Sequence, residues 1–204
     1  TEEMQRLEMA LQPLLQHYPD VVVSVDTFRS SVARQCVEKY GVAMINDISG
    51  GELDEQMFDT VAQLRVPYIM MHMRGTPQTM QQQTDYEDVT ADLLKYFSQK
   101  LERLFRLGVN DVILDPGFGF SKTLIQNYEL MRHLGDFRIF GLPLLVGISR
   151  KSMIYKLLET TPEESLNGTT VLHTYALLQG ADILRVHDVR AAKEAIRIVQ
   201  QLKG

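Results

Sequence analysis

The chain has 204 residues, 45% of them hydrophobic and 23% charged, with a formal net charge of −5. That length suits one domain whose core needs neither disulfides nor a structural metal, and the apolar content excludes whole-chain disorder. The acidic balance argues against nucleic-acid binding, which calls for a basic face. The single cysteine, Cys36, and the five histidines form no CxxC or HExxH pattern. No run approaches the ~18 apolar residues of a membrane span, and the opening TEEMQRLEMALQ is acidic and amphipathic rather than a secretory signal.

The chain opens inside an amphipathic helix and then alternates. VVVSVDT (21–27) is the first of six short apolar runs. Arg29 to Tyr40 follows as a helix, with Val32, Ala33, Cys36 and Val37 on one stripe and Gly41 as its stop. VAMINDIS (42–49) precedes a helix over Asp54 to Leu64, and PYIMMHM (67–73) precedes a long one over Tyr86 to Leu107, ended by Gly108. DVILDPGF (111–118) and PLLVGISR (143–150) come next. TPEESL (161–166) reads as a helix start, with Thr161 as cap, Pro162 in the first turn and Glu164 completing a capping box. ADILRVHD (181–188) is the last run, and Val189 to Leu202 closes the chain as a helix. Each run is apolar almost throughout, the pattern of a strand covered on both faces in a parallel sheet.

Strict alternation of strand and helix makes the chain α/β, either doubly wound or a (β/α)₈ barrel. The spacing is that of a barrel with about 250 residues for eight units. The expectation is therefore a (β/α)₈ TIM barrel of which only the last six strands are represented. Residues 1–204 would form one domain, N-terminally incomplete by roughly 70 residues on the same spacing. A barrel lacking two strands leaves two open sheet edges.

Every run turns polar at its C-terminal end, the end that carries the site in parallel βα folds. Asp26 ends the first run, Asn46 and Asp47 the second, His72 the third and Asp115 the fourth; Ser149, Arg150 and Lys151 end the fifth, and Arg185, His187 and Asp188 the last. Period-two alternation puts Asp26, Asn46, Met71, Asp115, Arg185 and His187 toward a common mouth, with Lys151 just beyond its strand. Two carboxylates and an amide suit a flat, donor-rich heterocycle, because a carboxylate accepts two parallel hydrogen bonds from an N–H/NH₂ edge. Arg185 and His187 suit an anion such as phosphate, and Met71 and Phe120 can sandwich a ring. LDPGFGFSK (114–122) lacks the third glycine of GxGxxG and the GK[ST] of a P-loop, so its glycines serve a sharp turn beneath a ligand.

With these segments in order, SVDT (24–27), INDISG (45–50), IMMHMRGTPQTMQ (69–81), LDPGFGFSKT (114–123), GISRKSMI (147–154) and RVHDV (185–189), the chain resembles the dihydropteroate synthase family over nearly its whole length. The resemblance implies a cytoplasmic, homodimeric transferase of folate biosynthesis and a sulfonamide target. It would join p-aminobenzoate to 7,8-dihydropterin-6-ylmethyl diphosphate with the help of Mg²⁺, binding neither nucleic acid nor membrane. It implies Asp26, Asp115 and Lys151 as catalytic residues. It implies a pterin slot of Asp26, Asn46, Ile48, Ile69, Met71, Asp115, Phe120, Gly147 and Lys151. Arg185 and His187 would bind the diphosphate, and Lys151 and Ser152 would face p-aminobenzoate. The metal-contacting Asn of the family belongs to the N-terminal strands this chain does not present, so no metal ligand is assigned in it. A pterin-binding methyltransferase domain shares the carboxylate–amide site but does not need the cations of SRK and RVHDV, and a shortened chain that binds pterin without turnover is the other alternative.

Overall fold

A computed structural model of the chain describes residues 2–204. All six runs form parallel strands: β1 (Ser24–Asp26), β2 (Met44–Asp47), β3 (Tyr68–Met71), β4 (Val112–Asp115), β5 (Leu145–Val146) and β6 (Ile183–Leu184). Between and around them lie α1 (Glu2–His17), α2 (Ser30–Tyr40), α3 (Met57–Leu64), α4 (Val89–Arg106), α5 (Leu124–Arg132), α6 (Ser152–Tyr155), α7 (Leu166–Leu178) and α8 (Val189–Lys203). Among the described residues no helix is long and apolar enough to cross a membrane.

The chain divides into two compact units, one running to Met71 and including Lys100–Val112, the other made of His72–Gln99 and Ile113–Gly204. In the first, β1 pairs with β2 and β2 with β3, and the Tyr68 N–H continues the ladder to the Asp111 carbonyl at 2.9 Å. Its core is Val32, Ala33 and Cys36 of α2 with Ile45, Phe58, Val61 and Tyr68, all buried. The α2 helix stops where expected, at Gly41 in the left-handed region (φ 63°), whose N–H returns to the Val37 carbonyl.

In the second unit the His72 N–H donates to the Asp115 carbonyl at 3.1 Å, Leu114 bridges Leu144, and β5 pairs with β6. Phe118, Leu130, Phe137, Val146, Met153 and Ala176 are buried there. Among the described residues β1 pairs with β2 alone, and β5 and β6 pair with each other.

Two expectations need correction. The ladders are shorter than the runs; at the end of the last one the His187 N–H donates to Ser149 Oγ at 3.2 Å instead of to a strand carbonyl. The helix expected from Pro162 begins at Leu166. The Glu164 N–H does reach Thr161 Oγ1 at 3.4 Å, but the Glu164 carboxylate accepts from the Thr160 hydroxyl. The Pro162 and Glu163 carbonyls accept from the Arg150 guanidinium, and that of Pro162 also from the Ser165 N–H and hydroxyl, a turn in place of a first helical turn.

Candidate active site

In the first unit Asp26, Asn46 and Ile69 are register partners across β1, β2 and β3. Partners in a parallel ladder present their side chains to the same face. Asn46 Nδ2 donates to Asp26 Oδ1 at 2.6 Å. Asn46 is buried and its Oδ1 has no hydrogen-bond partner. A buried acceptor left without a donor costs about 1–3 kcal/mol, so an N–H group delivered there by a ligand recovers free energy that the empty fold forgoes. Ile69 and Met71 are buried and Ile48 is half-buried.

Asp47, next to Asn46, is fully buried. Its Oδ1 accepts from the Ser49 N–H and hydroxyl at 2.8 and 2.7 Å, and its Oδ2 from the Gly51 N–H and the Tyr68 hydroxyl at 2.8 and 2.7 Å. Four donors on one carboxylate fix the turn after β2 and so the seat of Ile48.

In the second unit Asp115 ends β4, buried. Among the described residues its side chain accepts one hydrogen bond, from the Gly117 N–H to Oδ1 at 2.8 Å. Burial raises its pKa above the ordinary carboxylate range, while the charges of Lys151, Lys122 and Arg185 and the Gly117 N–H oppose that rise. Lys151 follows β5. Its ammonium donates to the Phe118 carbonyl at 2.5 Å and lies 4.6 Å from the centre of the Phe120 ring. Burial pushes Lys151 down to about 8, with the Asp115 charge opposing and the Arg185 charge adding to the fall. Gly119 makes this approach possible: its φ is +82°, and a Cβ there would meet Lys151 Cδ at 3.3 Å.

Arg150 and Lys151, adjacent in sequence, have separate roles. Arg150 is tied to Asp188, through Nε and Nη2 at 2.8 Å each. This two-pronged pair holds Asp188 below the ordinary carboxylate range. Ser152 is half-buried at the start of α6. The Arg185 side chain runs over buried Gly147, where a Cβ would stand 3.7 Å from Arg185 Cβ. Arg185 and His187 are both exposed.

The fold is that of known enzymes. The chain matches the pterin binding enzyme family over residues 1–187. It is 42% identical to a dihydropteroate synthase of Synechocystis sp. over 204 residues, covering 98% of this chain and 70% of that one. The Yersinia pestis dihydropteroate synthase solved with a sulfonamide drug complex superposes with a TM-score of 0.92 at 38% identity, covering 99% of this chain and 73% of that one. The Thermus thermophilus enzyme in complex with 6HMPPP gives 0.93 at 38% identity, covering 100% and 80%. These likenesses first define the class, a (β/α)₈-barrel fold with all its strands here parallel. Within that class the chain belongs to the pterin-binding dihydropteroate synthase family, transferases of folate biosynthesis.

Proposed function

We propose that the chain, as one pterin-binding domain, condenses 7,8-dihydropterin-6-ylmethyl diphosphate with p-aminobenzoate to give 7,8-dihydropteroate and pyrophosphate. The observation that carries this reading is Asp115, a buried carboxylate with one side-chain hydrogen bond among the described residues. Asp115, Asn46 and Lys151 recognise the polar edge of the pterin, and Asp26 contributes beside them. Ile48, Ile69, Met71, Phe120 and Gly147 line the ring. Arg185 and His187 hold the diphosphate, and Lys151 and Ser152 face p-aminobenzoate.

The arylamine nitrogen forms a bond to the pterin methylene carbon as the C–O bond breaks, and the electron pair leaves on pyrophosphate. Positive charge at the methylene is stabilised by Asp26 and Asp115, negative charge on the leaving group by Arg185 and His187. The amine sheds its proton after attack, and no side chain is assigned as its base. The family resemblance implies Mg²⁺; among the described residues there is no group of three or more His, Cys, Asp or Glu that could hold a metal ion. No step is routed through it.

The reaction belongs in the cytoplasm, where folate precursors are made, and the working form is a homodimer. Support for the dimer comes from α7, where Val171 is 59% and Leu178 50% exposed, with Tyr175 exposed beside them. Light scattering that returns a monomer at micromolar concentration rejects the dimer. For the reaction, calorimetric titration with the pterin diphosphate, then p-aminobenzoate with a pyrophosphate readout, is the test. Saturable binding followed by release only when both substrates are present is expected; release without p-aminobenzoate overturns the reading.

A further inference from the structure

Lys122 has no part in the chemistry above, yet it is only 4% exposed. Its ammonium donates to the Gly117 carbonyl at 3.0 Å and the Phe120 carbonyl at 2.9 Å, and stands 3.2 Å from His72 Nδ1. An ammonium carries three N–H donors and no acceptor. Three acceptors surround this one, so no donor remains for a substrate. A His72 nitrogen that faces an ammonium accepts, which places the imidazole proton on Nε2. Burial, then the charges of Lys122 and Arg74, keep His72 neutral. Its ring meets Tyr96 edge-on at 4.8 Å, and its backbone N–H is bonded to the Asp115 carbonyl.

The turn that Lys122 grips is unusual in its backbone. Gly117, Gly119 and Ser121 all have positive φ, at 70°, 82° and 46°. The resulting turn leaves successive carbonyls to different donors. Those of Gly117 and Phe120 go to Lys122, that of Phe118 to Lys151, and that of Gly119 to Gln81 Nε2 at 3.3 Å. Lys151 thus gives one of its three N–H donors to the turn and keeps two for a ligand.

We infer that Lys122 is a positioning residue: its buried ammonium, backed by His72, holds the Gly117–Phe120 turn in place so that Phe120 and the Asp115 carboxylate stay set for the pterin. This rests on the pterin reading of the site. Burial lowers Lys122 to about 7, with the Asp115 charge opposing the fall and those of Lys151 and Arg74 adding to it, so binding is measured below pH 7, where the ammonium is charged.

The test titrates 6-hydroxymethyl-7,8-dihydropterin into the unmodified chain, Lys122→Met, His72→Leu and His72→Gln, with a circular dichroism melt on each. A charge-assisted hydrogen bond to the ligand that is lost when the turn shifts weakens binding about tenfold to hundredfold, and that is the scale expected for Lys122→Met. His72→Leu removes one acceptor and weakens binding less. His72→Gln restores a carbonyl acceptor and recovers most of the affinity. A residue that only supports the fold would lower the melting point and the fraction of binding-competent molecules, leaving Kd of the folded fraction unchanged. Unchanged Kd in Lys122→Met, or equal loss in both His72 variants, overturns the inference. If Lys122→Met does not fold, the His72 pair decides. Failure of the unmodified chain to bind overturns the pterin reading itself, and the inference with it.

Discussion

Replacing Asp115 by Asn separates recognition from architecture. Oδ1 of Asp115 is tied to the Gly117 N–H at 2.8 Å, and an amide oxygen can keep that bond, so the turn survives. What changes is the other oxygen, which becomes an NH₂ group and meets the N–H edge of a pterin as donor against donor. The negative charge that draws on Lys151 and Lys122 also disappears. A charge-assisted hydrogen bond contributes about 1.5–3 kcal/mol. At 1.4 kcal/mol per factor of ten, losing one weakens pterin binding about tenfold to hundredfold. Titration calorimetry with 6-hydroxymethyl-7,8-dihydropterin measures this directly, and a thermal melt checks that the fold is intact. Unchanged affinity in a folded Asp115→Asn chain would make Asp115 a structural residue and refute the reasoning.

Arg185→Ala is expected to lose affinity for the pterin diphosphate while the bare pterin alcohol binds as before; equal loss of both in parallel titrations would take Arg185 out of diphosphate binding. Asp47→Asn strips the acceptors from two of four buried donors, so urea unfolding should show a loss of about 2–4 kcal/mol, and a loss below about 0.5 kcal/mol would contradict the role given to that carboxylate. Stability should also rise with pH between about 7 and 9. Burial lowers Lys122 to about 7 and Lys151 to about 8, so in that window the folded chain binds fewer protons than the unfolded one and the slope of unfolding free energy with pH is positive. Above the ordinary thiol value of 9.0, Cys36, raised to about 11 by burial, acts with the opposite sign. Thermal melts across this range should show the rise in the unmodified chain and a shallower one in Lys122→Met; a fall in both would contradict the assignment.

The strands were legible because burial on both faces leaves a continuous apolar run, and their polar ends because the sheet stops where those residues begin. The limits lie in long-range contacts. Thr161–Glu164 has the spacing of a capping box and makes only half of one, since the Glu164 carboxylate accepts from the Thr160 hydroxyl, while Arg150, from another part of the chain, binds the Pro162 and Glu163 carbonyls. The capping box that does form, Thr123 with Gln126 at the start of α5, has the same spacing and was there to be read. Which of two adjacent cations serves the site depends on Asp188, far away in sequence, capturing Arg150. Lys122 looks like an ordinary loop lysine until the fold brings up His72, fifty residues earlier. The fourfold bonding of Asp47 depends equally on Tyr68 from the next strand.

The central claim is tested most directly by product analysis. The chain is incubated with 7,8-dihydropterin-6-ylmethyl diphosphate and p-aminobenzoate, and 7,8-dihydropteroate is quantified by mass spectrometry alongside pyrophosphate. The two products are expected in equal amounts, both abolished when either substrate is withheld. Pyrophosphate without 7,8-dihydropteroate would contradict it, as the signature of a diphosphate hydrolase and not a synthase.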